Sequence, residues 1–575
     1  MSAHGVIPTQ RSNETRRPVE SRDVPAAGSR LARPKALVGE TVHLGKDLVS
    51  IAMGTEAHAP GEKDRRFADP TWTTHPGYRR LSQGYTAWTE SLGRLVDQYE
   101  ARGADWREVE RARFAVNALT SAMAPTNSFL GNPAAIKRAL DTGGMSVLRS
   151  IGNLVDDVRH NGGMPRQTDP KAYTVGRNLG LSKGAVVYRD DVIELIQYSP
   201  TTPQVRERPL LIVPPPIGRF YFLDLQPGRS FVEYAVAQGL QVFMISWRNP
   251  TRKQADWNLD TYAERVRRAI GVARAITGSP DVNTMGFCAG GIIMTTLLNH
   301  LAALEDRSVH SASYAVTMLD WDSRAPVGAF SGRRMIGLAR LVSKGLGVLP
   351  AKGLGPVFSW MRPDDLVFNY AVNQWLMGGA PPAFDVLAWN ADGTNLPAAL
   401  HEQFLEMFRD NSLVRPGAVT VLGTPVDLAN ITVPTYVAVA VTDHITPWTG
   451  CYRTTQLMSG PSTFVLSHSG HIQSLVNPPG NPKASYFVGG SPGPDPQDWK
   501  AGAERRTGSW WENWGPWAVE RSGAEVPAPE WLGSAVHVPL EAAPGSYVVD
   551  RVPEGQLGST MRTEAPAEQP ARASV

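Results

Sequence analysis

The sequence has few of the features that mark secreted, membrane-spanning or nucleic-acid-binding proteins. Its 575 residues include only two cysteines, Cys288 and Cys451, too few for a disulfide framework and consistent with a reducing cytoplasm. No run of about 18 apolar residues is present, so we expect no transmembrane segment. The 57 lysines and arginines nearly balance the 54 aspartates and glutamates, so no nucleic-acid partner is expected. The N-terminus has no apolar signal core, which favours a cytoplasmic location.

Patterns typical of metal or cofactor sites are also missing. The 12 histidines are scattered without the regular spacing of metal ligands, so we expect no metal. No glycine-rich loop of the kind that cradles phosphates is apparent, and we expect no bound cofactor. The hydrophobic fraction of 42% is enough for a large core. These observations indicate a large globular protein whose chemistry is carried out by amino-acid side chains and not by a metal or cofactor.

Composition indicates unstructured ends and a helical N-terminal domain. Residues 1–40 and 552–575 are rich in proline, arginine, serine and glutamate and poor in aromatics, so we predict a disordered leader and tail. Between them, residues 41–185 are predicted to form a helical domain, because Trp88, Leu92, Leu95 and Tyr99 recur at three- and four-residue intervals.

The next part of the chain alternates short apolar strands with helices. "PLLIVPPP" and "QVFMISW" are buried strands by composition, and a helix between strands is predicted to start at a capping box of Thr261 and Glu264 and to end at Gly278. Such alternation predicts a parallel sheet covered by helices on both faces. The pattern fills residues 186–320 and 431–551, with a Gly-, Pro- and Trp-rich interruption at 321–430.

A motif with catalytic character lies in "DVNTMGFCAGGIIMTTLL". A strand reaches Gly286, "GFCAG" turns the chain, and an apolar helix follows. This is the strand, turn and helix of a nucleophile elbow, in which α/β hydrolases usually place serine; here the central residue is Cys288. We therefore predict an α/β-hydrolase core with Cys288 as nucleophile, and residues 321–430 as a cap or lid between the sixth and seventh strands.

The acid and the base should follow in the chain order nucleophile, acid, histidine. Past the interruption, the strand of "TYVAVAVTDH" ends at Asp443, and the strand of "STFVLSHSGH" ends near His471. Because the carboxyl ends of parallel strands meet at one edge of a sheet, we predict that Asp443 and His471 join Cys288. His444 is adjacent to Asp443 and should point to the opposite side, which favours a supporting role.

An oxyanion hole requires two backbone N–H groups. One is predicted to be that of Ala289, directly after the nucleophile, and the other should come from the loop after the strand of "LLIV". The three prolines of that loop have no N–H, so Ile217 or Gly218 is the second donor, with Ile217 preferred. Arg219 follows as a candidate contact for an anionic substrate.

Sulfur in the elbow favours acyl transfer over hydrolysis. A thiolate that attacks a thioester yields another thioester, which keeps the acyl group activated for a second acceptor. A neutral thiol is a poor nucleophile, so a histidine must take its proton. An alcohol acceptor would need the same base. A cysteine-dependent hydrolase is the alternative that the same residues allow.

Motifs along most of the ordered chain resemble those of one family, the polyhydroxyalkanoate (PHA) synthases. The similarity extends from about "DRRFADPTW" to "APGSYVVDR". Signature-like segments are "AMAPTNSFLGNPAA", "HNGGMP", "SWRNP", "MRPDDLVFNY", "WNADGTNLPAALH", "DHITPW" and "SGHIQSLVNPPGNPKA". A single chain of this size is similar to the synthases that act without a second type of subunit.

The resemblance implies a specific activity and specific partners. Such an enzyme polymerises (R)-3-hydroxyacyl-CoA thioesters into storage polyester and releases CoA. Cys288 would carry the growing chain, His471 would activate the thiol, and Asp443 would assist activation of the incoming hydroxyl. The implied partners are the substrate, the growing polyester chain, the granule surface and a second copy in a homodimer. Alternatives are a thioesterase or polyester depolymerase, and a non-catalytic protein that coats granules.

Overall fold

A computed structural model describes residues 34–55, 58–169, 171–324 and 326–550. The predicted leader, apart from its last seven residues, and the predicted tail lie outside the described residues. The helices are α1 Pro34–Met53, α2 Thr71–Thr74, α3 Pro76–Ala101, α4 Trp106–Ala122, α5 Pro133–Asp141, α6 Met145–His160, α7 Phe231–Ala237, α8 Leu259–Thr277, α9 Ala289–Ala303, α10 Arg333–Leu346, α11 Ala351–Trp360, α12 Asn369–Ala371, α13 Asp385–Ala391, α14 Ala398–Asp410, α15 Trp448–Tyr452, α16 Thr454–Leu457, α17 His471–Leu475, α18 Pro496–Gly502 and α19 Trp511–Glu520.

The strands alternate with helices from residue 184 onward, as the apolar runs predict. They are β1 Gly184–Arg189, β2 Ile193–Tyr198, β3 Gln204–Arg206, β4 Leu210–Val213, β5 Val242–Trp247, β6 Val282–Phe287, β7 Val309–Ala315, β8 Val348–Leu349, β9 Leu396–Pro397, β10 Thr420–Val421, β11 Thr424–Pro425, β12 Thr435–Ala440, β13 Ser462–Ser467, β14 Ser485–Val488, β15 Glu504–Thr507, β16 Glu525–Pro527 and β17 Glu541–Ala542. None of the helices within the described ranges is long and apolar enough to cross a membrane.

One large sheet organises the fold. Its order is β15-β14-β13-β12-β7-β6-β4-β5-β2-β1-β17, and the six strands from β13 to β5 are mutually parallel. Antiparallel strands extend both edges. Because parallel strands in one sheet share a direction, the carboxyl ends of β4, β6, β12 and β13 all open at the same edge. This sheet confirms the predicted α/β-hydrolase fold.

Each face of the sheet is covered by its own apolar core. Helices α8 and α9 pack on one face through residues such as Val266, Ile270 and Ile293. The other face is covered by α7, α19 and the turn Phe220–Leu223. Central strands are buried along their whole length, which is why they are continuous apolar runs rather than alternating ones.

The N-terminal helices lie against the segment between β7 and β12, which we call the insertion (residues 316–434). Arg66 bonds to Asp364 at 2.8 Å, and the indole nitrogen of Trp375 donates to Asp157 at 2.9 Å. Within the insertion, α12 is flanked by the π-helical segments Asp364–Phe368 and Val372–Leu376. The helical domain predicted from spacing therefore contacts the insertion.

Two predicted boundaries differ from the structure. Residues 34–40, predicted as part of the leader, belong to α1, whose Glu40 accepts a hydrogen bond from Arg94 of α3 at 3.0 Å; this tertiary contact is invisible in local composition. Helix α8 starts three residues early: Asn258 is its N-cap, and Thr261 is the third helical residue, whose amide donates to the Asn258 side chain at 3.0 Å. The predicted end at Gly278 is confirmed by its left-handed conformation.

The buried tryptophans of α19 provide a test of how the sheet face is stabilised. Trp514 is fully buried, packs on Phe231 with ring centroids 4.9 Å apart, and donates to the Ser313 hydroxyl at 3.0 Å. We expect Trp514→Ala to lower the free energy of unfolding by about 3–5 kcal/mol, because a large cavity and an unpaired hydroxyl result. Urea denaturation followed by circular dichroism measures it. Trp531→Ala is the matched control, since Trp531 is 80% exposed; equal midpoints for both variants would contradict the assignment.

Candidate active site

Cys288 occupies a strained turn between β6 and α9. Its backbone has φ 49° and ψ −122°, a region that residues with a side chain rarely adopt. The turn is held because the Cys288 amide donates to the carbonyl of Ala315 at 2.9 Å and the Thr317 hydroxyl donates to the Cys288 carbonyl at 3.1 Å. The geometry is that of the predicted nucleophile elbow, with the thiol half-buried at the strand edge.

The glycines after the nucleophile allow close backbone contact. A β-carbon at Gly290 would lie 2.3 Å from the carbonyl oxygen of Val213 and 2.6 Å from that of Pro214. A β-carbon at Gly291 would lie 2.1 Å from the hydroxyl of Thr317. The elbow is therefore pressed against the end of β4 and the loop after it, residues 214–218, which we call the oxyanion loop.

Asp443 and His471 meet at the same edge, as the chain order predicts. The Nδ1 atom of His471 lies 2.6 Å from Oδ2 of Asp443, and both side chains are buried. The other Asp443 oxygen accepts hydrogen bonds from the amides of Ile445 and Thr446, at 2.8 and 2.9 Å. The Thr446 hydroxyl donates to Asp443 Oδ2 at 2.8 Å. The carboxylate is thus fixed by three donors besides the imidazole.

The charges of this pair support each other. Burial favours the neutral imidazole, but the Asp443 carboxylate and a hydrogen bond with the Cys288 side chain raise the pKa of His471 well above its ordinary value. Burial likewise works against the carboxylate, yet His471 and the Thr446 donors lower the pKa of Asp443. A histidine held in this way is a strong acceptor for the thiol proton of Cys288.

The structure brings Cys288, His471 and Asp443 into one connected set. His471 bonds to the Asp443 carboxylate at 2.6 Å, and the Cys288 thiol is close enough to raise the pKa of the imidazole. Such a chain of nucleophile, base and orienting acid can activate sulfur for attack on an acyl carbon. Cys451 is buried close by, and its thiol donates to the Thr446 carbonyl at 3.5 Å. It therefore helps to pack the loop after β12 that carries Asp443, which we call the acid loop.

The candidate donors of an oxyanion hole are the backbone amides of Ala289 and of the oxyanion loop. Ala289 is the first residue of α9, so its N–H is one of the donors that a helix leaves unpaired. In the oxyanion loop, no described residue accepts a hydrogen bond from the amide of Ile217 or of Gly218. The loop carbonyls, by contrast, are bound: Pro214 accepts from the indole of Trp247 at 2.8 Å. Both predicted donors remain compatible with the structure.

His444 follows Asp443 in a bend after β12, and Asp443 and His471 are both among the charged groups near it. Burial lowers the pKa of His444 to about 4, in spite of the nearby Asp443 carboxylate. Its Nδ1 atom has no hydrogen-bond partner among the residues that the structure describes. A supporting role for His444 in catalysis stays a prediction.

Some important side chains were missed by sequence reasoning. Thr446 binds the acid through both amide and hydroxyl, and only its position three residues after Asp443 hints at this. Arg219 is buried and paired within the protein, so the interpretation of this residue as a substrate contact is wrong. Over the described ranges, no cluster of three histidine, cysteine or carboxylate side chains could hold a metal ion.

Comparison with known proteins places these residues in a family context. Residues 63–235 match the sequence family "Poly-beta-hydroxybutyrate polymerase (PhaC) N-terminus", and residues 223–478 match "alpha/beta hydrolase fold". The chain is 46% identical to poly(3-hydroxyalkanoate) polymerase 1 of Ectopseudomonas oleovorans over 88% of this chain and 90% of the relative. It is 40% identical to the poly(3-hydroxyalkanoate) polymerase subunit PhaC of Cupriavidus necator over 84% of this chain and 83% of the relative.

The Asp443–His471 pair predicts how the reactivity of the thiol depends on pH. Asp443→Asn removes the charge that raises the pKa of His471, so the imidazole holds the thiol proton less well. We expect alkylation of Cys288 by iodoacetamide at neutral pH to slow by about tenfold or more, and its pH curve to move to higher pH. Mass spectrometry of the labelled peptide measures this rate.

Asp224→Asn is the matched control for that experiment. Asp224 is another buried carboxylate, bound to Ser182 and Ser230 and not to His471, so its loss should leave the alkylation curve in place. An unchanged curve for Asp443→Asn would show that the carboxylate does not control the thiol.

Proposed function

Because this chain belongs to the poly(3-hydroxyalkanoate) polymerase family, we propose that it polymerises (R)-3-hydroxyacyl-CoA into polyhydroxyalkanoate through a thioester on Cys288. The observation that carries the assignment of residues is the connected set of Cys288, His471 and Asp443 at the carboxyl edge of the sheet. No bound cofactor or metal is required by this chemistry.

The first step loads the enzyme. His471 takes the thiol proton, the Cys288 sulfur bonds to the acyl carbon of the substrate, and the bond from that carbon to the CoA sulfur breaks. The proton passes from His471 to the departing CoA thiolate. The negative oxygen that develops in between accepts hydrogen bonds from the amides of Ala289 and of Ile217 or Gly218.

The second step extends the chain. The hydroxyl of an incoming (R)-3-hydroxyacyl-CoA gives its proton to His471, and its oxygen bonds to the acyl carbon held on Cys288. The bond from that carbon to the Cys288 sulfur breaks, the sulfur takes the proton back from His471, and the lengthened acyl-CoA can load Cys288 again by the first step. Both oxygens of Asp443 are already occupied by Ile445, Thr446 and His471, which supports a role of Asp443 through His471 rather than by direct contact with substrate.

Water must be kept from the thioester for the polymer to grow. The insertion supports such a role, because Trp389 at the end of α13 packs on Phe222 beside the elbow, with ring centroids 5.1 Å apart. The ring of Trp389 also lies on Gly218, where a β-carbon would come within 2.9 Å of it. We assign residues 321–430 the role of a cap that limits access of water.

Contacts with the polyester granule and with a second copy are supported by exposed apolar surface. On α6, Leu148, Ile151, Val155 and Val158 follow one another at intervals of three and four residues and are 40–63% exposed. On α10, Leu338 is among several exposed apolar side chains. We assign the α6 stripe to the granule surface and the α10 face to a homodimer, in a cytoplasmic enzyme.

Replacement of Cys288 tests the assignment of the nucleophile. We expect Cys288→Ala to abolish CoA release from (R)-3-hydroxybutyryl-CoA and formation of insoluble polyester, because no thioester can form. Thiol detection follows CoA, and gas chromatography after methanolysis follows polymer. Cys451→Ala, at the buried thiol, should retain both activities.

Each other result has a definite meaning. CoA release that persists in Cys288→Ala would exclude Cys288 as the nucleophile. CoA release with only free hydroxyacid would indicate a thioesterase. If wild-type protein is inactive on this substrate and on longer (R)-3-hydroxyacyl-CoAs, that result would support the alternative of a non-catalytic protein that coats granules.

The α6 stripe makes a separate prediction. We expect the double substitution of Leu148 and Ile151 by glutamate to release the protein from isolated polyester granules, because charged side chains on this face oppose contact with an apolar surface. CoA release from soluble substrate should stay unchanged. Sedimentation of granules with bound protein measures the effect, and a matched pair of glutamates at exposed Lys137 and Arg138 of α5 is the control. Equal granule binding by the two double variants would exclude the stripe.

A further inference from the structure

Arg219 is buried at a point where three separate parts of the chain meet. Its side chain is 2% exposed and directly follows the oxyanion loop. The two terminal nitrogens donate to the carbonyls of Tyr547 and Asp550, each at 2.9 Å, and Nε lies 3.4 Å from the carboxylate of Asp392. One guanidinium therefore joins the core loop, the insertion and the C-terminal segment.

The backbone of the oxyanion loop is held by the same insertion. The Thr394 hydroxyl donates to the carbonyl of Pro216 at 2.7 Å, and the Trp389 indole donates to the carbonyl of Arg219 at 2.7 Å. Each peptide unit is planar, so a bound carbonyl also fixes the direction of the N–H in the same unit. These two hydrogen bonds lie on either side of Gly218. They therefore restrict the direction of the N–H groups in the oxyanion loop.

The C-terminal segment is anchored without help from Arg219. Glu194 on β2 is fully buried and accepts hydrogen bonds from the amide and hydroxyl of Ser546 and from the amide of Tyr547. The ring of Tyr547 lies under the guanidinium of Arg248, 5.4 Å from it. The segment that carries the two carbonyls bound by Arg219 is thus held on the sheet. These carbonyls therefore fix the orientation of the Arg219 guanidinium.

A charged group in this place is not explained by stability alone. Buried ionic side chains are costly to desolvate, and apolar replacements of similar volume often give equal or higher stability. What the planar guanidinium provides is direction, since its donors leave in a fixed fork. Two of its nitrogens donate to carbonyls, while Nε forms an ion pair with the Asp392 carboxylate without a hydrogen bond. Direction is also what an oxyanion hole needs, because a misplaced donor costs much of its effect on the transition state.

We propose that Arg219 is a positioning residue of the acyl-transfer site, which aligns the oxyanion-loop amides by locking them to Asp392 of the insertion and to the Tyr547 and Asp550 carbonyls. The proposal deepens the function given above and rests on it. It implies that the oxyanion hole is completed only when the insertion and the C-terminal segment are both seated on the loop.

Two reactions of Cys288 separate this role from general damage. Acylation by p-nitrophenyl butyrate passes through a tetrahedral oxyanion and needs the aligned amides, whereas alkylation by iodoacetamide needs only the ionised thiol. We expect Arg219→Met to slow release of nitrophenolate by about 10²-fold while the alkylation rate stays at the wild-type value. CoA release from (R)-3-hydroxybutyryl-CoA should fall in kcat by a similar factor, with KM little changed.

Arg219→Lys tests whether the planar set of guanidinium donors is required. It also provides a second variant if Arg219→Met fails to fold. A lysine keeps the charge, but a single ammonium cannot reproduce the planar set of donors, so its acylation rate should lie between those of wild type and Arg219→Met. Methylguanidinium added to Arg219→Met should restore part of the acylation rate and leave alkylation unchanged. A wild-type acylation rate in Arg219→Lys would overturn the proposal.

The matched control is Arg208→Met. Arg208 lies at the opposite end of β4, is 15% exposed, and pairs with Asp281 while it donates to the Arg521 carbonyl. Its loss should lower stability and keep both reaction rates. An equal fall of acylation and alkylation in folded Arg219→Met, or no fall in either, would also overturn the proposal.

The ester assay keeps this result distinct from the proposed function. Acylation of Cys288 by p-nitrophenyl butyrate requires no CoA thioester and no polymer. If wild-type protein hydrolyses (R)-3-hydroxybutyryl-CoA without forming polymer, the polymerase proposal fails, yet the ratio of acylation to alkylation still decides the role of Arg219.

Discussion

The contact between Gly290 and the carbonyls that end β4 is the constraint from which the rest of the site follows. It leaves no room for a β-carbon at that position, so the first turn of α9 can sit directly on the oxyanion loop. The sharp turn before it forces Cys288 to φ 49° and raises its side chain above the strand edge. Parallel pairing of β4 with β6 brings the elbow and the oxyanion loop to the same edge of the sheet. One backbone contact therefore places both the proposed nucleophile and the proposed oxyanion donors.

Around this contact, electrostatics decides what the sulfur can do. A buried imidazole alone would be a weak base, since burial opposes its charge; the Asp443 carboxylate reverses that preference. The carboxylate is stable in turn because the Thr446 amide and hydroxyl bind it. The thiol can therefore give its proton to His471, whose side chain is buried. Exclusion of water matters for the proposed thioester intermediate, because water and the next hydroxyl would compete for the same carbon.

Sequence reasoning succeeded where the signal is local or ordered along the chain. The strands, the elbow at Cys288 and the order of Asp443 and His471 follow from apolar runs, glycines and fold topology, and the structure brings these side chains together. It failed where a distant partner decides. Residues 34–40 have the composition of a leader, but they are helical against α3. Arg219 resembles a surface arginine beside an active-site loop until residues 547 and 550, more than three hundred positions later, occupy its nitrogens.

Residues near the C-terminal end of the described chain belong to the structural unit that forms the site. The α/β-hydrolase match ends at residue 478, yet backbone groups within residues 546–550 are bound by Glu194 in the sheet and by Arg219 beside the oxyanion loop. The insertion reaches the same loop through Trp389 and Thr394. Hydrogen bonds to a loop carbonyl restrict the amide of the same peptide plane, so these distant segments share control of a reacting geometry without touching substrate. A site built in this way depends on segments beyond the catalytic motifs. Its most position-sensitive donors are the backbone amides of the oxyanion loop, and their direction is set by the segments that pack on that loop.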